Sequence, residues 1–167
     1  MVEPETDAAR FWAFALRVYL PEAAQARFLR FQEAGGDVPL ALFCLWCGAG
    51  GVRLSGRTLR AAIAFSTEWR EARVAPLRAL RRGWKDAPGP LPPALSEKAR
   101  QQVARAEQAV ERLQMEHLAT LTSAEDRRDA AAAAGTDAAR ANLDLYCRLA
   151  SVSPEEEDLA AMVAGSA

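Results

Sequence analysis

Cys44-Leu45-Trp46-Cys47 spells C-x-x-C, a spacing that in thiol redox chemistry opens a helix so that the helix N-terminus stabilises a thiolate. Here the pair lies inside the apolar run LALFCLWCGAG, away from the positive end of a macrodipole, and reads as two small hydrophobes on one side of a core helix. With Cys147 and the single histidine, His117, the pair would complete a Cys₃His zinc set if the late helices folded back over this run. The long separations match no compact zinc module, so no metal and no cofactor is expected. Other catalytic routes are poorly supplied: the chain has no G-x-S-x-G, no phosphate-cradling glycine loop and no E-x-x-H. Glu107 and Glu111 share a helix face near Arg105 and Arg112, which reads as a solvated face with i, i+4 pairing and no acid–base function.

The other concentration of chemistry is cationic. Residues 53–86 hold nine of the 21 basic residues and three acidic ones, a net charge of +6, whereas residues 1–52 sum to −2 and residues 97–167 to −5. On one continuous helix Arg70, Arg78, Arg81 and Lys85 fall within about 80° of one another, and Phe65, Trp69, Leu77, Leu80 and Trp84 share the neighbouring face. Such an edge suits an anionic partner, or is neutralised internally by acidic C-terminal helices. Nucleic acid would need this charge with a recognisable reading motif; the chain shows none, and its sequence pI is about 5.9. An exposed edge also implies that reversing Arg78 and Arg81 leaves folding nearly intact.

The elements that must position these groups are all helical. No stretch alternates with period two, β-branched residues are scarce, and Ala, Leu, Arg, Glu and Gln dominate. The class is therefore all-α, a bundle of about six to seven helices. A first helix runs from about Asp7 to Leu20 and is ended by Pro21. A second, from about Glu22 to Glu33, turns Phe28, Leu29 and Phe31 inward and stops at Gly35-Gly36. Asp37 caps the third, with Pro39 in its first turn and Gly48, Gly50 and Gly51 closing it. Ser55 caps the basic helix, which kinks at Pro76 or breaks near Ala72–Val74. The proline-rich stretch DAPGPLPPALS, near residues 86–96, reads as a linker. It separates an N-terminal helical core, 7–86, from C-terminal helices, 96–164, that pack against it within one domain, 1–167. Beyond it, Ser96 caps a long charged helix to about Leu121, Gly135-Thr136-Asp137 starts another, and Ser153-Pro154-Glu155-Glu156 opens a short last one. The core is expected from the first three helices and the apolar side of the fourth, with Trp46 inside it.

At 167 residues such a chain buries enough surface for a core without metal or disulfides. The acidic start MVEPETD is unlike a basic secretory signal, no apolar run nears the roughly 20 residues of a membrane span, and three cysteines form no even framework. A cytoplasmic protein is expected.

Three blocks in fixed order, F-W-x-F-A-L-x-V-Y at 11–19, F-Q-x-x-G-G-D-V-x-L-x-L-F-C-L-W at 31–46 and W-R-x-x-x-V-x-P-L-R-x-x-R at 69–81, resemble an uncharacterised family of short proteobacterial proteins of unknown function. The resemblance spans about residues 10–86 and implies a bacterial cytoplasmic protein, with no activity, cofactor or catalytic residue attached. The expected function is a non-catalytic interaction or regulatory protein that meets an acidic protein partner through Arg70, Arg78, Arg81, Lys85 and Trp84. The alternative is a small helical enzyme or ligand binder, with an apolar pocket lined by Trp12, Trp46, Trp69 or Trp84 and arginines orienting an anionic head group.

Overall fold

A computed structural model describes residues 6–86, 89–123, 126 and 135–167. Among them the helices are α1 Asp7–Tyr19, α2 Glu22–Glu33, α3 Val38–Ala49, α4 Gly56–Trp69, a π-helical turn Arg70–Val74, α5 Ala75–Asp86, α6 Pro93–Leu118, α7 Gly135–Ala150 and α8 Glu156–Ala164. No described residue lies in a strand. Since α4, the π turn and α5 run on without a break, these elements make seven helical rods, and the all-α class holds. No helix among the described residues is long and apolar enough to cross a membrane.

The chain forms two compact units, Met1–Ala64 with Met115–Ala167, and Phe65–Gln114. The division thus falls within α4 and α6, and the proline-rich stretch lies inside the second unit. That stretch also gives up its last residues to α6, which starts on Pro93. Proline suits the first helical position because its missing N–H has no partner there anyway. Ser96, expected as the cap, sits one turn in.

In the first unit α3 is buried on nearly every side, from Leu40 to Leu45 and again at Cys47 and Gly48. Its N-terminus is capped as expected: Leu40 N–H donates to Asp37 Oδ1 at 3.0 Å. Its main partner, however, is α7, which buries Ala138, Ala139, Asn142, Leu143, Tyr146 and Cys147, so a core built only from the first four helices is corrected. Helix α7 holds both ends of α3. Tyr146 Oη accepts from Asp37 N–H at 2.8 Å at one end. At the other, Asn142 Oδ1 accepts from Leu54 N–H at 2.8 Å, while its Nδ2 donates to Cys44 O at 3.1 Å and Val52 O at 2.9 Å. Phe11 of α1 packs on Phe43 and stacks on Trp46 with ring centroids 5.1 Å apart; Trp46 itself is half-buried. Helix α2 buries Phe28 and Phe31, but Leu29 is 54 % exposed and does not turn inward.

Helix α8 is tied to α2 by Arg30, which grips both oxygens of Asp158. Its N-cap is Glu155, two residues beyond the expected Ser153. Ser55 caps α4, accepting from Thr58 N–H at 3.2 Å. Behind that cap the buried Asp126 accepts from Ser55 N–H and from Thr58 Oγ1, each at 2.7 Å. Burial pushes the Asp126 carboxyl up, but hydrogen bonds from Ser123, Thr58 and Ser55 outweigh it and hold the group below its ordinary value. The π turn has a local cause. Pro76 lacks an N–H, and in a regular helix its ring would meet the carbonyl of Ala72, four residues back. The chain widens one turn at Arg70–Val74 and continues, where a kink or break was expected.

Candidate functional site

The second unit is an antiparallel helical hairpin in which α4, the π turn and α5 pair with α6. Gln114 Nε2 donates to Ser66 Oγ at its base, and the Trp69 indole N–H donates to Val110 O at 3.1 Å one turn on. Farther along, Arg78 Nε meets Glu107 Oε1 at 2.9 Å, Arg78 Nη2 meets Glu111 Oε1 at 3.0 Å, and Arg81 Nε meets Glu107 Oε2 at 2.6 Å. Glu107 is only 5 % exposed. Desolvation pushes its carboxyl up, but the hydrogen bonds and charges of Arg81 and Arg78 outweigh this and hold it below the ordinary glutamate value.

Two readings are corrected here. Glu107 is a buried acceptor shared by two guanidinium groups and is no part of a solvated face. Arg78 and Arg81 are half-buried structural partners of α6, so they are not loose edge charges whose reversal the fold ignores: Arg78→Glu with Arg81→Glu would gather carboxylates around Glu107. Spacing along one helix could not reveal this, because both partners come from a helix 26 to 33 residues later.

A buried pair deprived of one partner is costly, and because these arginines keep some solvent contact, Glu107→Gln is expected to cost about 2–3 kcal/mol at neutral pH. A depressed folded-state pKa gives stability that is present above the unfolded value and lost as pH falls through the folded one. Urea unfolding midpoints of wild type and variant should therefore diverge at pH 7 and converge in acid. A constant gap across that range would show that the Glu107 charge is not what holds α5 to α6.

Arg70 and Lys85 are exposed, as is Arg82, which the stripe did not include, and none of the three makes an ion pair among the described residues. Residues 65–114 carry ten Lys and Arg against six Asp and Glu, a net charge of +4, which leaves −5 on the rest of the chain. Arg82 stands four residues after Arg78 and three before Lys85, so it shares their side of α5.

The four tryptophans are divided between the two units. Trp12 and Trp46 belong to the first unit, and Trp69 packs on Phe65 with centroids 5.7 Å apart. Trp84 lines an open apolar groove of about 460 Å³ with Ala79, Leu80, Gly83, Pro90 and Leu91. No arginine is among the groove's lining residues, so the expected anion-orienting group is missing from it. Leu80, read from the sequence as part of the apolar inner face, is 52 % exposed.

Cys44, Cys47 and Cys147 are all buried. Burial pushes the Cys44 thiol well up, with Cys47 and Cys147 adding to the effect, and desolvation takes Cys147 up to about 11. Thiols held protonated are poor nucleophiles and poor ligands. His117 is exposed on α6, and among the described residues no three His, Cys, Asp or Glu side chains are grouped to hold a metal ion.

The fold and this hairpin define an all-helical protein with a cationic second unit. Residues 10–118 match the family model described as a protein of unknown function, DUF2390, and the chain belongs to that family. The match runs from α1 to the end of α6 and contains the three sequence blocks; α7, the main partner of α3, lies beyond it. No curated protein and no solved structure matches the chain.

Proposed function

We propose that this is a non-catalytic helical interaction protein, acting in the cytoplasm, whose second unit binds a protein partner with an acidic surface. One observation carries the reading: positive charge is segregated into residues 65–114, net +4 in a chain of net −1, and Arg70, Arg82 and Lys85 there are exposed and make no ion pair among the described residues. Exposed cations of this kind steer an acidic surface into contact and set its register. Arg78 and Arg81 have a different part in this reading, since their bonds to Glu107 and Glu111 hold α5 on α6 and so fix the surface that Lys85 and Trp84 present. The buried thiols suit a reducing compartment.

The test compares wild type with Arg82→Glu/Lys85→Glu and with Arg148→Glu, an exposed charge reversal in the first unit. All three should fold, because exposed charges contribute at most about 1 kcal/mol each. Affinity capture from the source cell, washed at low and at high salt, should recover the same protein with wild type and Arg148→Glu at low salt only, and should lose it with the double variant. Capture that ignores both salt and the double reversal would sink the proposal.

A further inference from the structure

We infer that α6 carries a docking stripe from Leu95 to Leu113 on which an acidic amphipathic helix of a partner protein lies lengthwise. This goes beyond the acidic-partner reading above, which stands on Arg70, Arg82 and Lys85, and it concerns a different helix of the second unit.

Leu95 and Leu113 are each 51 % exposed. Between them Ala99 is half-buried, and Gln102, Ala106 and Ala109 are exposed. These six residues follow one another at spacings of four, three, four, three and four, which keeps them nearly in line along one helix for about 27 Å. That is the a and d repeat one helix offers another, and it is not the face α6 turns to its own hairpin. The hairpin face centres on Glu107 and Gln114, about 110° around the helix, where Glu107 holds Arg78 and Arg81 and Gln114 donates to Ser66. A single half-exposed leucine needs no explanation. Two leucines that close a heptad line, on a side of the helix its own hairpin does not use, form an unpartnered helical face, and the alanines between them leave room for large side chains of a neighbouring helix.

The charges beside the stripe select the occupant. Lys98, Arg105 and Arg112 recur every seven residues, so they form a row about 60–80° from the centre of the stripe, on the side away from the hairpin. All three are exposed, Lys98 and Arg105 make no ion pair among the described residues, and no carboxylate interrupts the stripe or the row. A flanking row at this heptad position sets partner choice. A second copy of α6 laid antiparallel would match Leu95 with Leu113 and Ala99 with Ala109, yet it would also set Lys98 against Arg112 and Arg105 against Arg105, like charges that oppose the pair. A parallel copy would set the row beside Val103 and Val110, which offer it no charge. A foreign helix with glutamates on that flank meets all three cations and brings leucines to the alanine positions.

The probe is a fluorescein-labelled three-heptad peptide with leucine at the a and d positions and glutamate at e and g, where the carboxylates keep it from pairing with itself. Its counterparts carry lysine for glutamate, or the same residues in scrambled order. Fluorescence anisotropy should show the glutamate peptide binding at least about tenfold more tightly than either counterpart. Lys98→Glu/Arg105→Glu, two changes at exposed and unpaired side chains that the fold tolerates, should lose the glutamate peptide and take up the lysine peptide instead. Ala106→Gln/Ala109→Gln keeps charge and good helix formers; it should leave the melting temperature unchanged and weaken binding about tenfold by filling the stripe. Arg82→Glu/Lys85→Glu should bind the peptide like wild type, which separates the two readings: loss of binding in this variant, with none in the α6 variants, moves the peptide to α5 and overturns the α6 assignment alone. The assignment also falls if no glutamate peptide binds, or if charge reversal abolishes binding while Ala106→Gln/Ala109→Gln binds like wild type, since attraction without a seated helix would explain that. Self-association by sedimentation that disappears in Ala106→Gln/Ala109→Gln would give the stripe to a second copy of this chain and overturn the assignment to a foreign partner.

Discussion

Gly48→Ala is expected to lower stability by about 3 kcal/mol or more, read as a fall in the urea midpoint with an unchanged slope. A Cβ at residue 48 would lie on the backbone of Ala139, meeting its Cα and N as well as its Cβ. Overpacking against a flexible side chain is relieved by a rotamer change; a helix backbone has no such relief, so α3 and α7 must separate. The change costs more than the one methyl suggests, because the seam it opens runs along the most buried helix of the first unit. Two comparisons make the result specific. At Gly50 a Cβ would lie 3.4 Å from Cys47 O and 3.8 Å from Trp46 O, close to ordinary contact, so Gly50→Ala should shift stability by no more than about 0.5 kcal/mol. Gly83→Ala has open space and should gain up to about 1 kcal/mol. If Gly48→Ala behaved like these two, α3 and α7 would not be in backbone contact.

The three glycines that close the run LALFCLWCGAGG look alike in sequence and differ in the fold. Gly50 is the C-cap of α3 and Gly51 takes a φ of 74°, the punctuation the sequence predicts. Gly48 lies inside the helix as a packing residue, and that role is set by a helix some ninety residues later. The same contrast runs through the molecule. Asp37 and Ser55 could be read as caps because a cap is a local event over three or four residues. The helical class was legible because periodicity and composition are local too. Half of the buried face of α7 is Ala138, Ala139 and Asn142, which contribute little apolar area and therefore little pattern; beside Leu143 and Tyr146 they permit close approach to α3, and proximity is invisible until both helices are placed. Glu107 was misjudged for a related reason. In sequence it stands between arginines at 105 and 112, yet its partners are Arg78 and Arg81 across the hairpin. Of the expected binding residues, Arg70 and Lys85 lie on the surface, Trp84 lines the groove, and Arg78 and Arg81 are engaged within the unit. Arg82 stands out as an exposed cation only beside the ion pairs that engage Arg78 and Arg81.

The other large effect is expected at Asn142, a residue that carries no sequence signal at all. Asn142→Leu keeps the branched side-chain outline, adds bulk and removes three hydrogen bonds at once. Leu54 N–H loses its acceptor, and the carbonyls of Cys44 and Val52 lose a donor. A buried donor or acceptor left without a partner costs about 1–3 kcal/mol, and here the apolar gain is small because residue 142 is already 1 % exposed. The sum is about 4 kcal/mol, a large share of the 5–15 kcal/mol that holds a domain of this size. It should appear as a cooperative loss of the first unit, since Asn142 links α7 to α3 and to the segment leading into α4. Asn142→Asp separates hydrogen bonding from volume. The aspartate would still accept from Leu54 N–H, but its second oxygen would face two carbonyl oxygens, and burial together with that repulsion would raise its pKa. A carboxyl whose folded pKa lies above its unfolded value destabilises increasingly as pH rises past the unfolded value. Asn142→Asp should thus be nearest to wild type in acid, where the protonated group can donate to one carbonyl, and weakest at neutral pH. A loss equal at pH 4 and pH 7, or an Asn142→Leu protein that unfolds with wild type, would show that this amide does not bridge the two helices.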